Sequence, residues 1–259
     1  MIINNNLNKR LPLSVAIITH NEEDNIGRTL ESIAGLASQI IIIDSNSLDR
    51  TIEIAKGFNA EVFIEDWKGF VEQKNSALNK CNQEWILCLD ADEVVSEELK
   101  ESIIKAIQNP IADGYLINRK TVYLGKLLKH AWQPDWNLRL VKKDCNPHWV
   151  GGLVHEHLEI DGKMEKISGC LYHYSYKNLK HHFLKTIDYA RVSAESYHKD
   201  GRKFSVFNLL FNPVIAWLRL YIINLGFLDG VRGFIAAISS CVYTFLKYAF
   251  LYEIDKKEK

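Results

Sequence analysis

Four short apolar runs rich in isoleucine, valine and leucine, separated by stretches with helical spacing, constrain this chain more than any other feature. They are Leu13 to Thr19, Ile40 to Asp44, Glu61 to Ile64 and Trp85 to Leu89. Runs of this kind read as strands buried in a parallel sheet, with crossover helices between them. Ile26, Leu30, Ile33 and Ala37 recur at helical spacing after the first run, and Asp49 can cap a second helix carrying Ile52 and Ala55. A third helix is predicted over Phe70 to Lys80. A fourth starts at Ser96, whose hydroxyl can cap while Glu97 and Glu98 oppose the positive end of the helix dipole. The alternation predicts a doubly wound α/β layer with ligands at the carboxyl ends of its strands.

The pattern changes after about Asn109. Tyr115 to Asn118 and Asn137 to Val141 read as further strands, with Trp132, Pro134, Trp136 and Trp149 in irregular chain around them. From Phe204 onward long apolar stretches take over, broken by Gly226, Gly230 and Gly233. Three regions are therefore expected: 1–110, 111–200 and 201–259. Lysine plus arginine and aspartate plus glutamate both number 32, so no net field marks the chain as a nucleic-acid binder. The charge is nonetheless segregated. Asp44 to Glu98 holds 13 acidic residues against 5 basic, whereas Arg119 to Lys143 holds 7 basic residues against Asp135 alone. An acidic first half and a basic middle suit a metal and an anionic substrate meeting in one site. The five cysteines lack CxxC spacing and the start, Met1 to Arg10, is polar, so buried free thiols in a reducing cytoplasm are expected.

Leu89-Asp90-Ala91-Asp92-Glu93 places two carboxylates two residues apart where the fourth run ends. Such a pair holds a hard divalent cation, Mg2+ or Mn2+, between its oxygens and a diphosphate. A solvated acidic turn is the competing reading; the buried run before it and the acids around it favour metal at Asp90 and Asp92. Glu93 is expected to support the turn. Asp44-Ser45-Asn46-Ser47-Leu48-Asp49 ends the second run, where a carboxylate can hydrogen-bond a nucleoside. Turn and cap chemistry accounts for Ser47 and Asp49 and leaves Asp44 over. Neither GxGxxG nor GxxxxGK[ST] follows a run, which argues against ordinary dinucleotide and P-loop sites.

Taken together, Val15-Ala16-Ile17-Ile18-Thr19-His20-Asn21-Glu22, Ile43-Asp44-Ser45 with Ser47 and Asp49, the Trp67/Gln73/Asn75 segment and Leu89-Asp90-Ala91-Asp92-Glu93 resemble family 2 glycosyltransferases in order and spacing. Asn137-Leu138-Arg139-Leu140, Val154-His155-Glu156 and Leu171-Tyr172-His173 resemble the branch that contains lipopolysaccharide core β-glucosyltransferases. The resemblance covers roughly residues 13 to 250. It implies a GT-A fold, a nucleotide-sugar donor, a divalent metal at Asp90 and Asp92, and inversion at the anomeric carbon. By position, Asn21, Glu22 and Asp44 line the nucleotide pocket, and Asp90 and Asp92 handle metal, diphosphate and ribose. Ser45 stands where many members carry a second aspartate, which weakens the assignment of uridine as the base.

Inverting transfer needs a base for the acceptor hydroxyl and a Lewis acid for the departing diphosphate. The resemblance points to Glu156 as that base, against an ordinary strand-edge acid; Asp135, between Pro134 and Trp136, is the second candidate. Arg139 and the Arg119/Lys120 pair can bind diphosphate or an anionic acceptor, since guanidinium forks match phosphate oxygens. His155 and His173 rank below Glu156 as groups near the metal. Trp132, Trp136 and Trp149 can stack on sugar faces, with aromatic packing the competing account.

Between Gly201 and Tyr252 the charges are Arg202, Lys203, Arg219, Arg232 and Lys247 against Asp229. Basic, aromatic, amphipathic segments tend to lie in the interface of an anionic membrane. A buried helical hairpin or a homo-oligomer contact is the other reading. The expectation for the whole chain is a cytoplasmic glycosyltransferase, peripheral on the inner membrane's cytoplasmic face, moving glucose from UDP-glucose to a lipopolysaccharide core or other glycolipid. Its rivals are a metal-dependent nucleotidyltransferase or phosphohydrolase, and a non-catalytic sugar-nucleotide-binding scaffold at the membrane.

Overall fold

A computed structural model describes residues 11–152 and 156–257, which form two compact units. The first comprises residues up to Arg119 together with Trp136–Gly151 and Glu156–His173. The second comprises Lys120–Asp135 and Tyr174 onward, with residue 152.

In the first unit, β1 (Leu11–Thr19), β2 (Ala37–Asp44), β3 (Glu61–Ile64) and β4 (Trp85–Asp90) form a parallel sheet in the order β3-β2-β1-β4. The crossovers are α1 (Ile26–Ser32), α2 (Thr51–Gly57) and α3 (Phe70–Lys80). These strands form because both of their faces are covered. Leu13, Val15, Ile17, Trp85, Leu87 and Leu89 pack on one side with Ile26 and Leu30. Ala16, Ile41, Ile43, Ile86 and Cys88 pack on the other with Ala77 and Leu78. Double burial is why these strands read as continuous apolar runs and not as alternating ones.

The first crossover is shorter than its spacing suggests. α1 ends at Ser32, and Gly35, at φ +77°, turns the chain so that Ala37 opens β2 instead of extending the helix. Arg50, not Asp49, stands immediately before α2; Asp49 still supports its first turn by accepting from the Thr51 N–H at 3.0 Å. The predicted cap of α4 (Glu97–Gln108) is present, with Ser96 Oγ accepting from the Leu99 N–H.

Beyond β4 the sheet continues through the antiparallel β8 (Trp136–Lys142), then β6 (Gly114–Tyr123), β11 (Met164–His173) and β5 (Glu93–Val95). Thus strands later than residue 110 complete the first unit's sheet. A separate hairpin pairs β9 (His148–Val150) with β10 (His157–Glu159). Of the cysteines, Cys81, Cys88 and Cys170 are buried, whereas Cys145 and Cys241 are only half-buried. Burial pushes the Cys81 and Cys88 thiols up to about 12, so both are inert.

In the second unit, the end of β6 pairs with β7 (Lys126–Leu127). Three helices follow: α5 (Leu179–Lys199), α6 (Val206–Leu218) and α7 (Gly230–Lys257). A π turn over Arg219–Ile223 and a 3-10 turn over Gly226–Asp229 join the last two. Tyr123, Trp132, Tyr176 and His182 form an aromatic cluster, in which the Tyr123 hydroxyl and His182 Nδ1 are 2.7 Å apart.

Candidate active site at the carboxyl edge of the sheet

The parallel register sets the site. Thr19 lies beside Asp44, and Ile18 beside Asp90, so the two aspartates flank the end of β1. This is the carboxyl edge where open α/β sheets bind ligands.

Asp44 is wholly buried and is not left over by turn chemistry as its sequence suggests. Its carboxylate accepts from the Ser47 N–H at 2.8 Å, the Ser47 hydroxyl at 2.6 Å and the Thr19 hydroxyl at 2.8 Å. The Asn21 N–H donates to Ser47 Oγ, and Asn21 Oδ1 accepts from the Leu48 N–H. Asn21 makes these contacts at φ +54°, a left-handed conformation that asparagine tolerates. The Glu22 N–H donates to Thr51 Oγ1, and Glu22 Oε2 accepts from Asn25. Asn21, Glu22 and Asp44 therefore belong to one interlocked pair of loops. Ser45, where a second aspartate is common among the proteins the chain resembles, is buried, and its hydroxyl accepts from Gln73 Nε2.

The second group surrounds the turn after β4. Thr29 Oγ1 donates to the Ala91 carbonyl at 2.7 Å and ties the turn to α1. Glu93 has no exposed surface; one carboxylate oxygen accepts from the Asp90 N–H at 3.0 Å and the other from Arg139 at 2.7 Å. It supports the turn, as expected. Arg139, projecting from β8, is 3% exposed and also donates to Asp90 Oδ2 at 2.9 Å. The expected diphosphate contact thus lies beneath the acidic turn, and not on an open basic face. Its Nε and Nη1 make no hydrogen bond among the described residues. The Arg119 guanidinium adds a second cation at 3.7 Å from Asp90.

Sequence reasoning passed over Lys74. Its ammonium lies 3.0 Å from Asp90 Oδ1, 3.1 Å from Glu156 Oε1 and 4.3 Å from the centre of the Trp149 ring. The signal was available, because Lys74 stands on the buried stripe of α3 with Gln73, Ala77 and Leu78. A lysine on such a stripe needs a partner. Here it brings together Asp90 and Glu156, two acids distant in sequence. Trp149 is buried beneath this lysine and locked to α3 by Asn75, which donates to its carbonyl and accepts from its N–H. Packing, not sugar stacking, accounts for it. On the other side of the turn, His173 Nε2 lies 3.3 Å from Asp92 Oδ2 because Glu93 and His173 are paired across β5 and β11.

Burial by itself would raise the Asp90 carboxyl, but Arg139, Lys74 and Arg119 hold it well below the usual carboxylate range. Glu93 shifts upward through burial, with Asp90 adding to the effect of lost solvent. Asp135 falls in the second unit, after the cis Gln133-Pro134 bond, and His155 lies outside the described residues. The site is thus a carboxylate turn held over a buried arginine, tethered by one lysine to a third acid, and bordered by a loop pair built for hydrogen bonding.

The model of glycosyl transferase family 2 matches residues 14–157, a stretch that contains both groups of the site apart from His173. The chain belongs to glycosyl transferase family 2. The protein is thus a transferase, and similarity extends beyond the matched region. It is 31% identical over 257 residues to the lipopolysaccharide core biosynthesis glycosyltransferase LpsC of Rhizobium meliloti, covering 94% of this chain and 93% of that one. It is 30% identical over 259 residues to an uncharacterised glycosyltransferase of Rickettsia typhi, covering 95% and 89%. Among solved structures, the mannosyltransferase PcManGT of Pyrobaculum calidifontis, in complex with GDP-Man and Mn2+, superposes with a TM-score of 0.54 at 14% identity, covering 95% of this transferase and 88% of that chain. S. aureus TarS 1-349 with UDP-GlcNAc gives 0.50 at 14% identity, covering 95% and 92%. At these identities the likeness is one of fold, and the fold is GT-A.

Proposed function

We propose that this family 2 transferase is a metal-dependent, inverting hexosyltransferase that moves glucose from UDP-glucose to a lipopolysaccharide core or similar glycolipid. In this reading it works at the cytoplasmic face of the inner membrane. One observation carries the chemistry: Lys74 joins Asp90, at the carboxylate turn, to Glu156, the base candidate. The similarity to LpsC supports the acceptor class, and the Mn2+ and GDP-Man in the complex of a protein of the same fold support a metal and a sugar nucleotide.

The residues present suit a divalent ion shared with substrate. Among the described residues no group of three or more histidine, cysteine, aspartate or glutamate side chains forms a closed cage. A magnesium-like ion needs none when one or two carboxylates and substrate phosphates complete its shell. Asp90 and Asp92, with His173 beside Asp92, would hold the ion in this reading, and Asp90, kept ionised by its three cations, also faces the ribose and diphosphate. The ion would supply Lewis-acid stabilisation of the leaving diphosphate.

Glu156 takes the proton as the acceptor oxygen attacks the anomeric carbon on the face opposite the diphosphate. The new bond to the acceptor forms as the bond to the diphosphate oxygen breaks, and the diphosphate leaves with the electron pair. Once protonated, Glu156 attracts Lys74 less, and the contact with Asp90 keeps that ammonium in place. Asn21, Glu22 and Asp44 shape the nucleoside side of the pocket. Arg139 acts on the donor through Asp90. Asp135 is the alternative base. The proposed division of labour is donor binding by 1–110, acceptor binding and catalysis by 111–200, and membrane association or self-association by 201–259.

The test is transfer by the purified full chain from a panel of nucleotide sugars to a core glycolipid. UDP-glucose is the expected donor, and excess EDTA should stop the reaction, as should Asp92→Asn. Pyrophosphate or phosphate release without sugar transfer would replace this reading with a nucleotidyltransferase or phosphohydrolase. Donor binding with neither transfer nor hydrolysis would leave a scaffold. If Asp135→Asn is inactive and Glu156→Gln is near normal, the base is Asp135.

A further inference from the structure

We infer that α6 is an in-plane membrane anchor. Its outward face lies in the interfacial layer of an anionic bilayer, and α7 does not cross that bilayer. This gives a specific surface to the peripheral placement proposed above and is independent of the sugar or acceptor used.

The sequence from Phe204 to Leu218 contains no charged residue. Val206, Phe207, Leu210, Phe211, Val214 and Ile215 are each between 50% and 62% exposed. At about 100° per residue these positions sweep about half of the helix circumference. The opposite face holds Asn212 against the Tyr248 hydroxyl and buries Pro213. The exposed face continues along the π turn to Ile223, which is 73% exposed. So much contiguous apolar surface exceeds what a soluble monomer ordinarily presents.

Charge selects the occupant. Arg202 and Lys203 precede the stripe, Arg219 stands towards its far end, and no acid occurs from Gly201 to Leu228. A second copy packed by two-fold symmetry would set this patch against itself, bringing like charges together along a broad, bulky face. Anionic headgroups match the flanking cations and acyl chains match the stripe, with no shape complementarity required.

Packing decides the orientation. By length and hydropathy, Val206–Ile223 and Gly226–Lys257 could each cross a bilayer. α7, however, is joined along its length to α5. Ser193 Oγ and Tyr243 Oη are 2.7 Å apart, and Lys247 donates to the Tyr197 hydroxyl at 3.0 Å. α5 exposes Lys180, Asp188, Arg191 and Lys199 on its outer side. A helix with that face cannot be immersed in hydrocarbon. With water on the α5 side and lipid on the α6 side, the α6–α7 pair lies along the interface. The same packing sorts the cations: Lys247 points inward, Arg232 donates to the Leu124 carbonyl at 3.1 Å and Arg202 stacks 4.2 Å from the centre of the Tyr197 ring, leaving Lys203 and Arg219 for headgroups.

The test is co-sedimentation of the full chain with sucrose-loaded vesicles of phosphatidylcholine, with and without phosphatidylglycerol, in the absence of donor and acceptor. The wild type should bind the phosphatidylglycerol vesicles more tightly, and less so in high salt. Phe211→Glu with Ile215→Glu, both outward-facing, should weaken binding at least roughly tenfold while leaving the melting temperature close to wild type. Leu184→Glu, on the exposed side of α5, should bind as the wild type does. The proposal is overturned if neither vesicle pellets the wild type, or if the double variant binds normally. Extraction by detergent alone would replace it with a spanning helix. A wild-type dimer made monomeric by the double variant, without vesicle binding, would replace it with a second copy. Because no substrate is present, failure here is distinct from failure of the transfer reading.

Discussion

Without Arg139, Glu93 and Asp90 would lose the nearer of the two guanidinium groups they share inside the first unit, leaving Arg119 at 3.6 Å and 3.7 Å. Removing one member of such a buried set costs up to about 3–5 kcal/mol, and the remaining Lys74 and Arg119 place this case towards the lower end. Arg139→Met is therefore expected to lower stability by that order in urea unfolding, whereas Lys142→Met, at the half-exposed pair with Asp113, should change it by less than about 1 kcal/mol. Glu156→Gln should retain donor binding and lose transfer by roughly a hundredfold to ten-thousandfold in single-turnover assays, because an amide cannot accept the proton. At this scale the two aspartates of the turn were legible, since carboxylates spaced by one residue after an apolar run announce themselves. Lys74 and the burial of Arg139 were not, because their partners come from β4 and from residue 156, far away along the chain.

Among the elements, β11 is held close to α4 by Gly169. A Cβ added there would lie 2.3 Å from the Leu99 nitrogen, and φ is +87°. Gly169→Ala is expected to cost at least about 1–3 kcal/mol, read as a lower melting temperature. In α5, burial lowers His182 to about 4 from an ordinary value of 6.5. Between those values the unfolded chain binds a proton that the folded chain refuses, so stability falls as pH drops from 6.5 towards 4 and is unaffected by this group above 6.5. Replacing His182 with Gln should make the dependence of unfolding free energy on pH shallower in that window by about one proton, measured by denaturant titration at several pH values. Helices α3 and α4 and strands β1 to β4 were legible because local signals and burial agreed. The strands β5, β7, β9, β10 and β11 were missed. They are short or, in β11, alternate between exposed and half-buried positions over the first six residues; all pair antiparallel, and β5 finds β11 only across a long stretch of chain.

For the whole molecule, the Phe211→Glu and Ile215→Glu variant is expected to transfer sugar normally to a soluble acceptor fragment and poorly to the same acceptor anchored in vesicles, a comparison made with one donor at fixed concentration. The amino-acid sequence by itself determined the α/β class, the strand–helix alternation of the parallel half, the carboxylate turn and the apolar character of the C-terminal third. Each of these follows from residues near one another in the chain, through periodicity, capping and local composition. Tertiary structure alone decided that Asp90 is surrounded by three cations, that Lys74 reaches Glu156, that Trp149 is packing, and which side of α6 is left uncovered. Those outcomes depend on which distant residues share a desolvated space, and the electrostatic and burial energies that govern them exist only once the strands and helices are in place.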